Sequence, residues 1–158
     1  MAIPKVYVET SVISYLTAKP SRDLIVAAHQ QVTSDWWSHR KGFELFVSDA
    51  VLEEARRGDK AAAARRKVAM EGIPVLSATA SAQTLAADFL RAAVMPSKAA
   101  IDAVHVAVAT THGMDFLVTW NCTHIANAIV RTKIETVCRK AGFRPPVICT
   151  PLELSEEE

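Results

Sequence analysis

The sequence predicts an α/β protein in which helices cover both faces of a central, mostly parallel β-sheet. Short runs of β-branched and aromatic residues alternate with segments whose apolar residues recur at helical spacing, an arrangement typical of βαβ units. The chain has 158 residues, 50% hydrophobic and 22% charged, which suits one core that needs no disulfide support. We therefore expect a three-layer α/β/α sandwich formed by one domain, residues 1–150, and a short acidic tail, residues 151–158.

Five short apolar runs are expected to form the sheet. They are rich in Val, Leu, Ile and Phe, which is the composition of strands buried on both faces of a parallel sheet. In chain order the predicted strands span residues 5–8, 45–47, 74–76, 116–119 and 147–149.

Seven segments are expected to form helices. Ser21 is a candidate cap of the second helix, with Asp23 in its first turn, and Gly113 and Gly142 are placed to end the last two. The predicted helices span residues 11–16, 21–37, 49–57, 61–70, 80–94, 99–112 and 124–140. The spacing of apolar residues predicts that the second helix buries Leu24, Ala27, Ala28 and Val32.

Several features bear on the compartment. No run of 18 or more uncharged apolar residues is present, so we expect no membrane-spanning helix. The N-terminal apolar run is too short for a secretory signal. Cys122, Cys138 and Cys149 are irregularly spaced, which favours a reducing compartment over a disulfide framework. Together these features predict a cytoplasmic protein.

Positive charge is concentrated ahead of the acidic tail. All 18 basic residues but only 13 of the 17 acidic residues lie in residues 1–150, which gives this part a formal net charge of +5. Such charge attracts phosphate groups where it is clustered, although a solvated helix face is the ordinary explanation for a charge cluster. The clustered residues, which we call the basic segment, are Arg56, Arg57, Lys60, Arg65, Arg66 and Lys67.

Polar side chains follow two of the predicted strands. Glu9 comes directly after the first strand, and Asn121 follows the fourth. Ligands of parallel sheets lie beyond the carboxyl ends of the strands, so both residues are site candidates. Their ordinary roles would be helix capping for Glu9 and turn formation for Asn121.

Two predicted helices add further candidates. Glu54 lies closer to the apolar stripe of its helix than Glu53 does, so it borders the buried side; an exposed pair with a nearby arginine is the alternative. Asp102 and His105 share one face of a later helix. The helix dipole is the alternative explanation for Asp102, and core packing is the alternative for His105.

Carboxylates gathered in this way suit Mg²⁺ or Mn²⁺, because these ions prefer oxygen ligands and keep water molecules for a phosphate substrate. The alternative is a zinc site that uses Cys122, His124 or His112, but no paired CxxC or HxxxH spacing supports it. The sequence contains no Walker loop, GxGxxG or GxSxG motif.

The ordered set of motifs resembles the PIN domain family, and within it the VapC-like toxins of bacterial toxin–antitoxin pairs. The similarity spans nearly the whole chain. The matching segments are VYVETSVI at residues 6–13, VSDAVLEE at 47–54, IDAVHVA at 101–107, LVTWN at 117–121 and, as the last strand, ICTP at 148–151.

The resemblance implies an acidic quartet. It falls on Glu9, Glu54, Asp102 and Asn121, whereas the family usually has Asp at the first position and commonly has Asp at the fourth. The three carboxylates would bind Mg²⁺ or Mn²⁺, and the uncharged Asn121 would position water or metal. The residues expected to support the site, as hydroxyl donors or as contacts to phosphate and protons, are Thr10, Ser11, His105, Thr119 and His124.

The function that the resemblance implies is metal-dependent hydrolysis of RNA by an endoribonuclease toxin, with the basic segment holding the RNA backbone. It also implies a homodimer and an antitoxin protein that blocks the site. The candidate interface residues, for which core packing is the alternative, are Tyr15, Leu16, Trp36 and Trp37. Two other functions stay open: a catalytically weakened module that binds RNA or a protein without cleavage, and a 5′-nuclease acting on DNA flaps.

Overall fold

Five parallel strands form the central sheet of the computed structural model, which describes residues 2–155. The strands are β1 (Lys5–Val8), β2 (Glu44–Ser48), β3 (Val75–Leu76), β4 (Phe116–Val118) and β5 (Val147–Cys149). Their order in the sheet is β3-β2-β1-β4-β5, so the first strand of the chain lies in the middle. Tyr7 of β1 is in register with Phe46 of β2 and Leu117 of β4.

Seven α-helices accompany the sheet within residues 2–155, which confirms the predicted α/β/α sandwich. They are α1 (Thr10–Thr17), α2 (Leu24–Ser38), α3 (Asp49–Ala55), α4 (Lys60–Ala69), α5 (Ala80–Arg91), α6 (Ala100–Thr111) and α7 (Ala128–Lys140). Six begin after a side chain that accepts a backbone N–H of the first turn, namely Glu9, Asp23, Ser48, Asp59, Thr79 and Asn127. Short 3₁₀ helices at Arg40–Gly42 and Ser97–Ala99 precede β2 and α6.

The middle strand lies deep in the core. Val6, Tyr7 and Val8 are fully buried, because β1 is paired on both edges and covered on both faces. The chain leaves this strand at Glu9, which is only 4% exposed. The first polar residue after β1 is therefore held in a defined place at the carboxyl edge of the sheet.

Helix α2 differs from its prediction at both its start and its buried face. Asp23 is the N-cap and accepts a hydrogen bond from the backbone N–H of Val26, whereas the Ser21 hydroxyl accepts the N–H of Asp23. Leu24 is 86% exposed, while Thr33 and Trp36 are the buried residues. The predicted face, which also included the exposed Ala28, is wrong because the helix packs through its C-terminal half.

Helix α7 begins at Ala128, four residues later than predicted. Asn121 causes the delay: its side-chain oxygen accepts the backbone N–H of His124, and its backbone carbonyl accepts that of Ala126. Asn127 then caps the helix by accepting the N–H of Ile129. The prediction of a turn at Asn121 is thus more accurate than the prediction of a helix from His124.

Residues 151–155 lie against the domain. Pro151 is buried, and the Glu153 carboxylate accepts the backbone N–H of Thr150. Residues 156–158, the rest of the predicted acidic tail, lie outside the described residues, and the division at residue 150 stays a prediction. Within residues 2–155 no helix has the length and apolar character to cross a membrane.

Candidate active site

Three strand ends bring the candidate residues to one edge of the sheet. Glu9 follows β1, and helix α3 with Glu54 follows β2. Thr119 and Asn121 follow β4. Because the three strands are adjacent and parallel, their carboxyl ends lie together, which is where open α/β sheets bind ligands.

Glu9 is held by three donors. The Ser11 hydroxyl and the Thr119 hydroxyl both donate to its Oε1, at 2.6 and 2.5 Å, and the Ser11 backbone N–H donates to Oε2 at 3.0 Å. The same two hydroxyl oxygens accept the backbone N–H groups of Trp120 and Asn121. Glu9 therefore both caps α1 and fixes the loop that follows β4.

Glu54 lies opposite a fully buried histidine. Its Oε1 is 2.5 Å from Nε2 of His105 and accepts the Thr10 hydroxyl at 2.7 Å. The other ring nitrogen of His105, Nδ1, is 2.6 Å from the Tyr7 hydroxyl, which is 2.7 Å from the Ser48 hydroxyl. The structure thus places both ring nitrogens of His105 in contacts inside the protein.

These contacts shift the pKa values of the linked groups. Burial alone would raise the pKa of Glu54, but the hydrogen bond from His105, the His105 charge and the Thr10 hydroxyl together hold it below its usual range. Burial alone would lower the pKa of His105, but the hydrogen bond to Glu54 and the neighbouring carboxylates raise it. Burial raises the pKa of Tyr7, so its hydroxyl stays protonated.

Asp102 contacts a different histidine. Nδ1 of His124 lies 3.0 Å from Oδ2 of Asp102, and because a carboxylate has no proton to give, the ring donates. Both side chains are partly exposed. His124 is held in turn by the bond from its backbone N–H to Asn121 at 3.0 Å. The side-chain oxygen of Asn121 therefore orders the loop that presents His124 to Asp102.

Tyr7 and Ser48 are the site residues that sequence reasoning misses. Tyr7 fits the apolar run of β1, and Ser48 lies between a strand and a helix. Both are buried, and Ser48 also caps α3 by accepting the N–H of Val51. A hydroxyl in a strand that is buried on both faces must find a hydrogen-bond partner. This requirement is the sequence signal that could have identified Tyr7 as a polar group near the site.

An aromatic group lies beside this edge of the sheet. The rings of Trp120 and His29 stack with centroids 4.1 Å apart, and Tyr15 lies 6.1 Å from Trp120. The indole N–H of Trp120 donates to the hydroxyl of the buried Thr33 at 2.7 Å. These contacts join α1 and α2 to the loop after β4.

The structure corrects the set of candidate interface residues. Trp36 belongs to the core and is 3% exposed, so it is excluded from a surface contact. Tyr15 packs in the aromatic group, and the Arg40 guanidinium lies 4.6 Å from the centre of the Trp37 ring. Leu16 is half-buried. Trp36 is a wrong candidate because core packing, the alternative that the sequence left open, is what the structure shows for this side chain.

The basic segment divides into anchored and unanchored residues. Arg65 donates to the carbonyl of Thr17, at the end of α1. Arg66 donates to the carbonyls of Ala55 and Arg57, at the end of α3. These arginines act as caps for the carbonyls that helix ends leave without partners.

Three of the four remaining residues of the segment line a groove, and Arg57 lies outside it. Arg56 pairs with Glu53. Lys60 and Lys67 line a groove of about 760 Å³ between α3 and α4, and within the described part of the chain neither makes an ion pair. Arg57 is exposed and close enough to Glu54 to lower the pKa of that carboxyl.

The donor set at this edge suits a hard divalent cation. Ligand atoms of Glu9, Glu54 and His105 lie within 4.8 Å of one another, the only such group of three in residues 2–155, and Asp102 is not part of it. Both nitrogens of His105 are engaged, so the carboxylates of the group are its available ligands. Within those residues, Oε2 of Glu54 and Oδ1 of Asp102 accept no hydrogen bond, so carboxylate oxygens are available as Mg²⁺ or Mn²⁺ ligands. The zinc alternative gains no support, because within residues 2–155 none of Cys122, His112 and His124 belongs to a close group of metal-ligand atoms.

The fold and the site define an α/β protein with an acidic centre at the carboxyl edge of a parallel sheet. This chain belongs to the PIN domain family, whose sequence profile matches residues 6–121. No curated protein matches the sequence significantly.

Two solved structures have a similar fold. Mycobacterium tuberculosis VapC20, a sarcin-ricin loop cleaving toxin, is 20% identical with a TM-score of 0.59, over 75% of this chain and 92% of VapC20. VapBC2 from Rickettsia felis, bound to a DNA fragment from its promoter, is 12% identical with a TM-score of 0.60, over 92% of this chain and 98% of the matched chain. At these identities the likeness concerns the fold.

Proposed function

We propose that this protein is a metal-dependent endoribonuclease, the toxin of a toxin–antitoxin pair. The observation that carries the proposal is the gathering of Glu9 and Glu54 at the carboxyl edge of the sheet in a PIN domain. The fold shared with VapC20, a toxin that cleaves the sarcin-ricin loop, favours RNA as the substrate class.

The proposed ligands of Mg²⁺ or Mn²⁺ are Glu9, Glu54 and Asp102. A divalent cation bound there would lower the pKa of a coordinated water and offset charge on the scissile phosphate. The protein holds each carboxylate in place: Ser11 and Thr119 bind Glu9, and the other two each contact a histidine. Asn121 acts through the loop that it orders.

His124 is the better candidate for contact with the phosphate. Its Nε2 has no hydrogen bond within residues 2–155, and the ring is partly exposed. His105 is fully buried with both nitrogens engaged. Hydrolysis adds the oxygen of water to phosphorus, releases a proton from that water and places a proton on the leaving oxygen. Because Nδ1 of His124 donates to Asp102, Nε2 carries a proton only when the ring is charged, and we assign the donation to Nε2 of the charged ring.

We propose that the RNA backbone lies along Arg57, Lys60 and Lys67. Within residues 2–155 these cations have no ion-pair partner that would compete with phosphate, apart from the electrostatic influence of Glu54 on Arg57. Arg65 and Arg66 are the residues least available to RNA, because helix carbonyls bind their guanidinium groups. The proposed contact therefore uses half of the basic segment.

The test is cleavage of a mixed RNA pool by antitoxin-free protein with Mn²⁺, with Mg²⁺ and with EDTA. Asp102→Asn is the active-site variant, and Asp88→Asn, which changes a carboxylate paired with Arg91 on α5, is the matched control. We expect cleavage with either cation by the wild type and the control, none with EDTA, and a loss of about 100-fold or more in Asp102→Asn.

A binding module without cleavage is the second candidate, favoured by the neutral Asn121 and its engagement with His124. Folded protein that binds RNA but neither cleaves it nor binds Mn²⁺ would establish this alternative. Cleavage of branched DNA in preference to RNA, in a parallel reaction, would instead indicate a flap nuclease.

We also propose a homodimer that uses the first turn of α2. Leu24 and Ile25 are 86% and 69% exposed, and adjacent exposed apolar side chains favour a protein contact. Light scattering at micromolar concentration is expected to show a dimer for the wild type and a monomer for Leu24→Glu with Ile25→Glu. A wild-type monomer would contradict this proposal. An antitoxin partner is tested separately, by whether it inhibits the cleavage of RNA by this protein.

A further inference from the structure

A line of buried hydrogen bonds connects the start of helix α3 to the carboxylate near its end. Ser48 caps the helix, and its hydroxyl lies 2.7 Å from that of Tyr7 on β1. The Tyr7 hydroxyl lies 2.6 Å from Nδ1 of His105 on α6, whose Nε2 lies 2.5 Å from Glu54. Ser48, Tyr7 and His105 are each at most 1% exposed. Tyr7 of β1 and His105 of α6 thus connect Ser48 to Glu54, which lies six positions later in the sequence.

Nε2 of His105 donates to Glu54 whether the ring is charged or neutral, and a neutral ring also fixes the direction of every other bond in this line. A carboxylate accepts only, so Nε2 of His105 carries a proton and donates it to Glu54. Nδ1 must then accept, and the Tyr7 hydroxyl donates to it. The Tyr7 oxygen accepts from Ser48, whose own oxygen accepts the N–H of Val51. Each donor in the line has an acceptor.

The two carboxylate oxygens of Glu54 therefore differ in their surroundings. Oε1 accepts both His105 and the Thr10 hydroxyl, whereas Oε2 accepts no hydrogen bond within residues 2–155. Helix α3 ends at Ala55, one residue after Glu54, so the helix itself gives this side chain little support. Its orientation depends on the two donors from other elements.

We propose that His105 is a positioning residue, which turns Oε2 of Glu54 toward the cation and is itself fixed by Tyr7 and Ser48. The inference rests on the proposed function, because it takes Glu54 as a cation ligand. Outer donors of this kind set the orientation of metal-binding carboxylates, and their loss typically weakens metal affinity by about 10–100-fold. His105 neither touches substrate nor supplies a proton to it.

Two amide substitutions separate positioning from packing. In His105→Gln the amide nitrogen takes the place of Nε2 and still donates to Glu54. In His105→Asn the shorter amide reaches only the place of Nδ1. The control is Thr110→Val, which changes another buried polar residue of α6, one whose hydroxyl donates to the Val106 carbonyl.

The measurement is the Mn²⁺ dissociation constant, obtained from the free-ion electron paramagnetic resonance signal, beside the melting temperature without cation. We expect His105→Asn to raise the dissociation constant by about 10-fold or more, and His105→Gln to stay within about threefold of the wild type. Thr110→Val should lower the melting temperature without changing Mn²⁺ affinity. Tyr7→Phe serves as the second variant if the His105 variants do not fold, with an expected rise of about threefold or more.

Equal Mn²⁺ affinity in His105→Gln and His105→Asn would overturn the proposal, as would a weakening in Thr110→Val as large as that in His105→Asn. If the His105 variants do not fold, an unchanged Mn²⁺ affinity in Tyr7→Phe would likewise overturn the proposal. If the wild type binds no Mn²⁺, the proposed function fails and the positioning role fails with it. If the wild type binds Mn²⁺ and cleaves RNA while His105→Asn does both equally well, only the positioning role fails.

Discussion

Oδ2 of Asp102 accepts a hydrogen bond from Nδ1 of His124, 3.0 Å away, across the gap between α6 and the loop after β4. The contact joins the acidic residue of a helix to a loop that Asn121 holds through the backbone N–H of His124. Asp102 is therefore oriented by a residue that follows it by 22 positions in the sequence. Through His124, the uncharged Asn121 thus has an indirect influence on the Asp102 carboxylate.

Removal of the His124 ring is expected to weaken cation binding. His124→Ala deletes the donor to Oδ2 and frees Asp102 to turn, so the Mn²⁺ dissociation constant should rise by about 10-fold. Titration calorimetry checks the value. His112→Ala is the matched control, because His112 is bonded to the Ser77 carbonyl outside the site, and it should leave the affinity unchanged. Tighter binding in His124→Ala would mean that the ring competes with the cation.

The His105–Glu54 pair is expected to make stability depend on pH. The raised pKa of His105 contributes stability that is complete below pH 6.5 and is lost as the pH rises through its pKa in the folded protein. The lowered pKa of Glu54 contributes stability above pH 4.5 that is lost as the pH falls through its folded-state pKa. Between pH 4.5 and pH 6.5, both contributions to the free energy of unfolding are therefore complete.

Urea unfolding from pH 6 to pH 9 tests this expectation. The free energy of unfolding should fall with rising pH in the wild type, by at most about 1.4 kcal/mol per pH unit for one proton. Glu54→Gln removes the main partner that raises the pKa of His105. The free energy of unfolding of this variant should therefore fall less than that of the wild type as the pH rises. In the control variant Asp88→Asn, the free energy of unfolding should fall with pH as it does in the wild type. Equal declines in all three proteins would contradict the assignment.

Substitutions in the basic segment should separate stability from RNA binding. Arg66→Ala is expected to cost about 1–2 kcal/mol, because the substitution removes the donor to the Ala55 carbonyl at the end of α3 and to the Arg57 carbonyl after it. Lys60→Ala with Lys67→Ala should change stability by less than about 0.5 kcal/mol, since neither lysine has an ion-pair partner within residues 2–155.

The salt dependence of RNA binding supplies the complementary measurement. The double lysine variant should lower the slope of log affinity against log salt by about 0.7 for each phosphate that the protein no longer neutralises. Arg66→Ala, measured where it is fully folded, should keep the wild-type slope. A wild-type slope in the lysine variant would exclude these lysines from the RNA interface.

The bond between Thr33 and Trp120 is expected to stabilise the loop after β4. Thr33→Val keeps the shape of the side chain but leaves the indole N–H of Trp120 without its acceptor, at a cost of about 1–3 kcal/mol. The Thr33 hydroxyl itself donates to the carbonyl of His29, four residues earlier. Thr84→Val is the control, because the Thr84 hydroxyl donates in the same way to the Ala80 carbonyl but lies on an exposed helix face. Thermal unfolding that shows equal effects of the two substitutions would contradict this role.

Much of the sheet and part of the site follow from local patterns. A short apolar run predicts β1, and the polar residue after it predicts that Glu9 lies at the carboxyl edge, since a parallel sheet brings strand ends together. The helical spacing that places Glu54 nearer the buried side than Glu53 likewise agrees with their burial. These features depend only on residues close together in sequence.

The remaining features depend on distant partners. Tyr7 is 41 residues from Ser48 and 98 from His105, and no local pattern reveals what its hydroxyl meets. The predicted buried face of α2 is wrong because periodicity identifies a face but not which half of the helix meets the core. Asn121 delays the start of α7 because a side-chain bond to a turn competes with helix formation.

The central position of β1 has a consequence for the protein during its synthesis. A growing chain contains Glu9 long before β4, the second neighbour of β1, which begins only at Phe116, and the Thr119 hydroxyl that binds Glu9 comes 110 positions after it. Contacts so distant in sequence form late, after the loops between them have closed. A nascent chain therefore carries two of its carboxylates well before it can arrange them. For a nuclease with the proposed activity, this order of assembly keeps the growing chain inactive until β4 and Thr119 have been translated.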